Sequence, residues 1–232
     1  MYFYNFVDPY YWMILVPALL IALLAQLNVS STFRRYGQIA SRRGLTGAQA
    51  AEEVLRAHGV YGVRVVRVSG KLTDHYDPKA NTIRLSDGVY GSTSISALGV
   101  AAHEAGHAVQ YAQEYGPIKV RGAMIPVCNF SSQISLVLIV LGFMLYSRPL
   151  FAVGVVLFAV ATVFQLVTLP VEFDASRRAI HSLRATHLLD EQELSGAKKV
   201  LGAAAMTYVA ALLVSIAHLL RYVLAFNSRR RD

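Results

Sequence analysis

Cysteine is nearly absent from this chain, and charge is scarce. There is one cysteine, Cys128, so no intramolecular disulfide can staple the fold. It lies in an apolar stretch, where a free thiol reads as a small buried hydrophobe. Charged residues fill 16% of 232 positions against 55% hydrophobic ones, too few for an ordinary soluble domain of this size. The mean hydropathy of +0.43 points the same way, to a membrane protein. Acid is the scarcer sign, 14 Asp and Glu against 22 Lys and Arg. The resulting +8 does not mark a nucleic-acid binder. No recognition motif accompanies it, and the basic residues flank apolar runs, as the positive-inside bias requires. Internal repeats and low-complexity linkers are also missing.

What is present is a series of long apolar runs. YYWMILVPALLIALLAQLNV, Tyr10 to Val29, carries no charge and is long enough to cross a bilayer. Tyr10, Tyr11 and Trp12 form an aromatic belt at its start; Arg34, Arg35, Arg42 and Arg43 follow its end. A cleaved signal peptide carries its positive charge before the apolar run, so this reads as a retained anchor, with the N-terminus outside and Arg34 onward in the cytoplasm. Two further runs, about residues 125–146 and 150–169, form a membrane hairpin broken at Ser147, Arg148 and Pro149 and ended by Pro170. VEFDASRRAIHSLRATH then resumes as a charged helix, with Arg177, Arg178, Arg184, Lys198 and Lys199 marking the cytoplasmic side again. A last run, Gly202 to Phe226, is long enough to span but holds His218 and Arg221 and leads into NSRRRD. As a fourth span it places that tail outside, against the bias; otherwise it lies at the interface or inside the bundle. His218 and Arg221 read as snorkelling side chains near a helix end.

Between the anchor and the hairpin lies a polar segment. TGAQAAEEVLRAHG reads as a short helix with Thr46 as N-cap and Gly59 as its stop. GVRVVRVS and NTIRLS are β-branched and can pair as strands across the turn-rich DHYDPKAN. STSISALGVAAHEAGHAVQYAQEY is a long helix ended by Gly116 and Pro117.

That helix holds the chemistry. His103 and His107 are four residues apart and share a helix face, so both imidazoles can point at one ion. Tetrahedral zinc suits such a pair, and Glu104, one residue round, stands where a base for a bound water belongs. A catalytic zinc needs a third protein ligand and one open position. Glu172 in LPVEFDAS is the best candidate. Two spans of about 30 Å each return the chain to the face it left. The competing reading of Glu172 is a carboxylate at a helix start, favoured by the macrodipole. Asp174 is the runner-up ligand, or an acceptor orienting a histidine. His75, His181 and His187 are weaker ligand candidates. One of them, or Tyr208, Arg177 or Arg178, is open as the stabiliser of an oxyanion.

An anchor, a small polar segment, HEAGH, a membrane hairpin and then EFDAS together resemble the integral-membrane gluzincins, whose best-known members are the heat-shock and prenyl-protein membrane metalloproteases. LTDHYDP, RLS, AAHEAGHAVQ and LPVEFDASRRA resemble more closely the bacterial YugP-type membrane zinc metallopeptidases, over Tyr10 to about Leu201. The resemblance implies Zn2+ on His103, His107 and Glu172, Glu104 as base, and a bacterial inner membrane. Two positions depart from pattern. Ser176 stands where the heat-shock type has an Asp, and Asp174 where an Asn is expected.

The expected fold class is a mainly α integral membrane protein with three to four transmembrane helices and a small α+β cytoplasmic zincin-like metalloprotease domain. Its parts are an anchor (1–32), a cytoplasmic zincin-like segment with the HExxH helix (33–123), a transmembrane hairpin (124–169), cytoplasmic helices carrying the third ligand (170–202), and a hydrophobic helix with a basic tail (203–232). The expected function is zinc-dependent hydrolysis of peptide bonds at the cytoplasmic membrane face, with NTIRLS offering an edge to substrate. Its partners are membrane lipid and a peptide or membrane-protein substrate, without nucleic acid. The alternatives are a non-catalytic scaffold or regulator with a structural zinc, and a small transporter using His218 and Arg221.

Overall fold

The computed structural model describes residues 11–228; Tyr10 and the RRRD end of the tail lie outside them. Among the described residues, four helices are long and apolar enough to cross a membrane: Tyr11–Gly37, Gly116–Met144, Arg148–Ala185 and Glu191–Leu224. The chain is a mainly α membrane protein with one small sheet. The last apolar run has the length and composition of a span. The chain divides into two units, one made of residues up to Gln26, Val120–Leu169 and residues from Thr207 on, the other of Leu27–Lys119 and Pro170–Met206.

The first unit is helical. A π-helical turn, Tyr11–Leu15, leads into α1 (Val16–Gly37). The hairpin is α5 (Gly116–Met144) and α6 (Arg148–Ala185), joined where Tyr146 takes φ +53. Pro149 falls in the first turn of α6, where its missing N–H has no helical partner to lose. Within this unit the two helices pack antiparallel through glycine. A Cβ on Gly142 would collide with the Phe151 backbone, and one on Gly154 would sit 2.8 Å from the Ile139 nitrogen. Such close approach is how helices associate in lipid, where the hydrophobic effect gives no drive. The Thr162 and Ser215 hydroxyls bond at 2.8 Å, tying α6 to α7 (Glu191–Ser228).

Two sequence expectations change here. Arg221 does not snorkel: it is buried, with its guanidinium 5.1 Å from the Tyr11 ring centroid, a cation–π contact. His218 stacks on Tyr222 at 5.9 Å. Because α7 continues to Ser228, neither residue sits at a helix end. Cys128 is half-buried rather than fully buried.

The second unit carries the polar elements. Thr46 caps α2 (Gly47–Ala57) through a reciprocal capping box with Gln49, and Gly59 follows at φ +65. The sheet has order β1-β3-β2, with β1 at Arg64–Val68, β2 at His75–Asp77 and β3 at Thr82–Ser86. The two expected strands do pair, but in parallel. Part of the turn-rich connection is itself β2, antiparallel to β3. NTIRLS is therefore the central strand and offers no edge. Ile83 and Leu85 on it are fully buried. After a short α3 (Asp87–Tyr90), Ser94 caps α4 (Ile95–Ala112) by accepting from the Ala97 N–H. Alanines 97, 101, 102, 105 and 108 are all buried, so α4 is the central helix, enclosed on nearly every side.

Prolines mark the other two corrections. Gly116 and Pro117 open α5; α4 has already stopped at Ala112, and Glu114 takes φ +55. Pro170 does not end the hairpin, because α6 runs through it. An interior proline costs roughly 3 kcal/mol. Val171, Ala175, Ala179 and Leu183, spaced four apart just beyond it, are all fully buried, and that stripe outweighs the defect.

His58, the C-cap of α2, joins α2 to α6 by a 2.8 Å hydrogen bond with Ser182. Burial, with help from the charges of Arg178 and His181, holds its pKa below the usual 6.5. The unfolded chain therefore binds the proton more readily. Stability from this group is complete above pH 6.5 and falls as pH drops from there toward the lower folded value. His58→Gln should flatten that part of the pH dependence of thermal unfolding, read as the difference from wild type between about pH 7.5 and 5. Identical slopes for the two proteins would refute it.

Candidate metal centre

α4 presents His103 and His107 one turn apart, their ring centroids 4.7 Å from each other. Glu172 comes from α6, far from both ends of that helix. Its Oε2 lies 3.2 Å from His103 Nε2 and 3.6 Å from His107 Nε2. The three residues each offer one ligand atom, and these atoms all lie within 4.8 Å of one another. No other such group of three His, Cys, Asp or Glu residues occurs among the described residues. His107 and Glu172 are buried, and His103 is partly so. Two imidazole nitrogens and one carboxylate oxygen, with no fourth protein donor in the group, fit a catalytic zinc set.

Glycine explains the convergence. A Cβ on Gly106 would lie 2.8 Å from the Ala175 carbonyl oxygen on α6. Only a residue without a side chain lets α4 approach α6 this closely. Gly106 sits directly before His107, and Ala175 three residues after Glu172, so the contact sets the distance between the ligand atoms.

The electrostatics follow from burial. Glu172 is 2% exposed and Glu104 8%. Burial alone would push the His107 pKa down. The Glu172 carboxylate beside it and the negative charge of Glu104 outweigh that, and the net direction is up. The same carboxylates favour any cation between the rings.

The other candidates do different things. Asp174 is no part of the triad; it accepts from Gln110 Nε2 at 2.9 Å and from Arg178 Nε. Arg178 also donates to Gln113 and lies over the Tyr115 ring, so it is engaged where α4 ends. His75 is exposed, with Nδ1 2.8 Å from the Thr73 carbonyl. His181, His187 and Arg177 are exposed. Tyr208 belongs to the other unit. Since β3 is central, the edges are β1 and β2; β2 reaches α4 through Tyr76, whose ring lies 5.6 Å from that of Tyr111.

Two polar residues beside the triad were not anticipated in these roles. Ser176 Oγ lies 3.1 Å from His103 Nδ1, so a hydroxyl stands where the heat-shock pattern has a carboxylate. Gln110 Oε1 lies 3.0 Å from His107 Nδ1. Their sequence signals were present but weak: Gln110 is three residues past His107, on the same helix face, and Ser176 four past Glu172.

A histidine pair on one helix and a carboxylate from another, in a chain with four membrane-length helices, fit one class, the membrane-associated zinc metallopeptidases. The chain belongs to the family described as "Putative neutral zinc metallopeptidase", which matches residues 11–227. It is 44% identical over 217 residues to "Putative membrane protease YugP" of Bacillus subtilis (strain 168), covering 94% of this chain and 96% of that protein. No solved structure matches it.

Gly106→Ala should drive the two helices apart, lowering stability by about 1–3 kcal/mol and weakening zinc binding together. Thermal unfolding and zinc content of the purified variant test this. Wild-type values for both would show that the contact does not govern the site.

Proposed function

We propose that the protein is a gluzincin-type metalloendopeptidase that hydrolyses peptide bonds of protein substrates at the cytoplasmic face of a bacterial plasma membrane. The carrying observation is the meeting of His103, His107 and Glu172 within 4.8 Å. These three would hold the zinc. Zinc bound there supplies Lewis acidity toward the scissile carbonyl and toward a water. Glu104, buried on α4 and near enough for its charge to act on His107, takes the proton of the attacking water and returns it to the departing amine. With zinc bound, Gln110 would accept from His107 Nδ1 and the Ser176 hydroxyl from His103 Nδ1, which would leave the Nε2 lone pairs of both rings toward the ligand position.

Three protein donors rather than four favour a catalytic over a structural zinc, and so favour the enzyme over a scaffold. The cytoplasmic side is supported by charge. Arg34, Arg35, Arg42, Arg43, Arg177, Arg178, Arg184, Lys198 and Lys199 all fall in the unit that holds the triad. The transporter reading is the weaker one: the cavity that His218 lines is mainly apolar, and Arg221, which does not line it, lies over the Tyr11 ring.

Metal analysis and a protein-cleavage assay test the assignment. Glu104→Gln should keep stoichiometric zinc and lose about 10²–10⁴-fold in cleavage rate. His107→Ala should lose the zinc itself. Cleavage at the wild-type rate by the first variant would end the role of Glu104; unchanged zinc in the second would end the ligand assignment.

A further inference from the structure

Gln110 is fully buried, and its amide spans the two ligand-bearing helices. Its Nε2 donates to the Val171 carbonyl at 2.9 Å and to Asp174 Oδ2 at 2.9 Å. Its Oε1 faces His107 Nδ1 at 3.0 Å. The direction of this amide is fixed by chemistry. A carbonyl and a carboxylate can only accept, so the NH2 end must face them. The oxygen end is then left for His107, whose Nδ1 must carry the proton. An imidazole protonated at Nδ1 presents the Nε2 lone pair, and Nε2 is the nitrogen that faces Glu172.

We propose that Gln110 is the positioning residue of the centre, and that Asp174 selects the metal-binding tautomer of His107 through it. The inference rests on the ligand role given above to His107. The amide acts in two directions. Toward α4 it fixes which nitrogen of His107 is free. Toward α6 it grips the carbonyl of Val171, the residue directly before Glu172, and so holds that turn in register with the imidazole. Asp174 is held in turn by Arg178, whose other bond runs to Gln113 one residue past the end of α4. Asp174 therefore serves the site without touching the metal, although it lies two residues from Glu172.

The test uses the full chain in detergent, with zinc affinity read by chelator competition and geometry by the visible spectrum of the cobalt-substituted protein. Gln110→Met keeps the side-chain length and removes both functions of the amide. It should weaken zinc about 10–100-fold and alter the cobalt spectrum. Gln110→Glu turns an acceptor toward two acceptors and should also weaken zinc. Asp174→Asn added to Gln110→Glu supplies a donor to the new carboxylate, relieving one of the two acceptor–acceptor contacts, and should restore part of the affinity, a rescue that a space-filling role does not predict. Wild-type affinity and spectrum in Gln110→Met, or further loss instead of recovery in the double variant, would overturn the proposal. If Gln110→Met fails to fold, the Gln110→Glu pair decides. A wild-type protein that binds no zinc would instead sink the ligand assignment, so the two failures are distinguishable.

Discussion

The contact between Gly106 and the Ala175 carbonyl sets everything else in the candidate site. Two helices carrying full side chains at their crossing lie 8–10 Å apart. At that spacing, whether a carboxylate on one meets two imidazoles on the other depends on the side chains at the contact. Here the crossing point has a hydrogen on one side and a methyl on the other, so the backbones themselves touch. The candidate ligand residues sit beside that point in both helices, at 103 and 107 around 106, and at 172 about one turn before 175. The alanines of α4 extend the logic: small residues all round let α2, the sheet, α6 and α7 close on one helix without pushing it off the α6 axis. The motif HEAGH thus encodes packing as well as candidate ligands.

Burial at this contact has a cost that the surrounding polar groups offset. Removing one partner from a buried ion pair leaves a charge whose desolvation costs about 3–5 kcal/mol. Glu172 meets two imidazoles rather than one, and both imidazoles have polar partners on their far nitrogens. Gln110 and Asp174 are satisfied in turn, the first by a backbone carbonyl and the second by Arg178. A connected polar network of this kind specifies one arrangement of its members, because any rotation leaves a buried group unpaired. It is a site built for position, with stability supplied by the buried apolar stripe of Val171, Ala175, Ala179 and Leu183 that runs along α6 beside Glu172.

Local signals read correctly wherever local chemistry decides. Thr46 with Gln49 three residues on is a capping box, and it forms. The i, i+4 spacing of two histidines puts their rings together, and their meeting with Glu172 was legible because two spans must bring the chain back. The misreadings share one cause, tertiary burial outweighing a local preference. Pro170 looks like a terminator, yet the buried stripe beyond it carries the helix through. NTIRLS looks like one arm of a hairpin, yet the segment before it folds back as β2 and leaves β3 central. Arg221 looks too costly to bury, yet a tyrosine face from the other end of the chain receives it. Gln110 and Gly106 were not legible in these roles, since each acts on a helix that lies more than sixty residues away in sequence.

The uninterrupted course of α6 changes what Glu172 means. Read as the first residue of a helix, it would need no special explanation, since an acidic group at an N-terminus gains about 0.3–1 kcal/mol from the macrodipole. In the interior of α6 that field is gone, because the effect falls off within the first turn. A carboxylate 2% exposed, in mid-helix, needs side-chain partners to justify it. The two histidines of α4 are among them. The feature that made the sequence reading ambiguous is therefore removed by the continuity of the helix, and what remains is a carboxylate held in place by the same imidazoles with which it would share a cation.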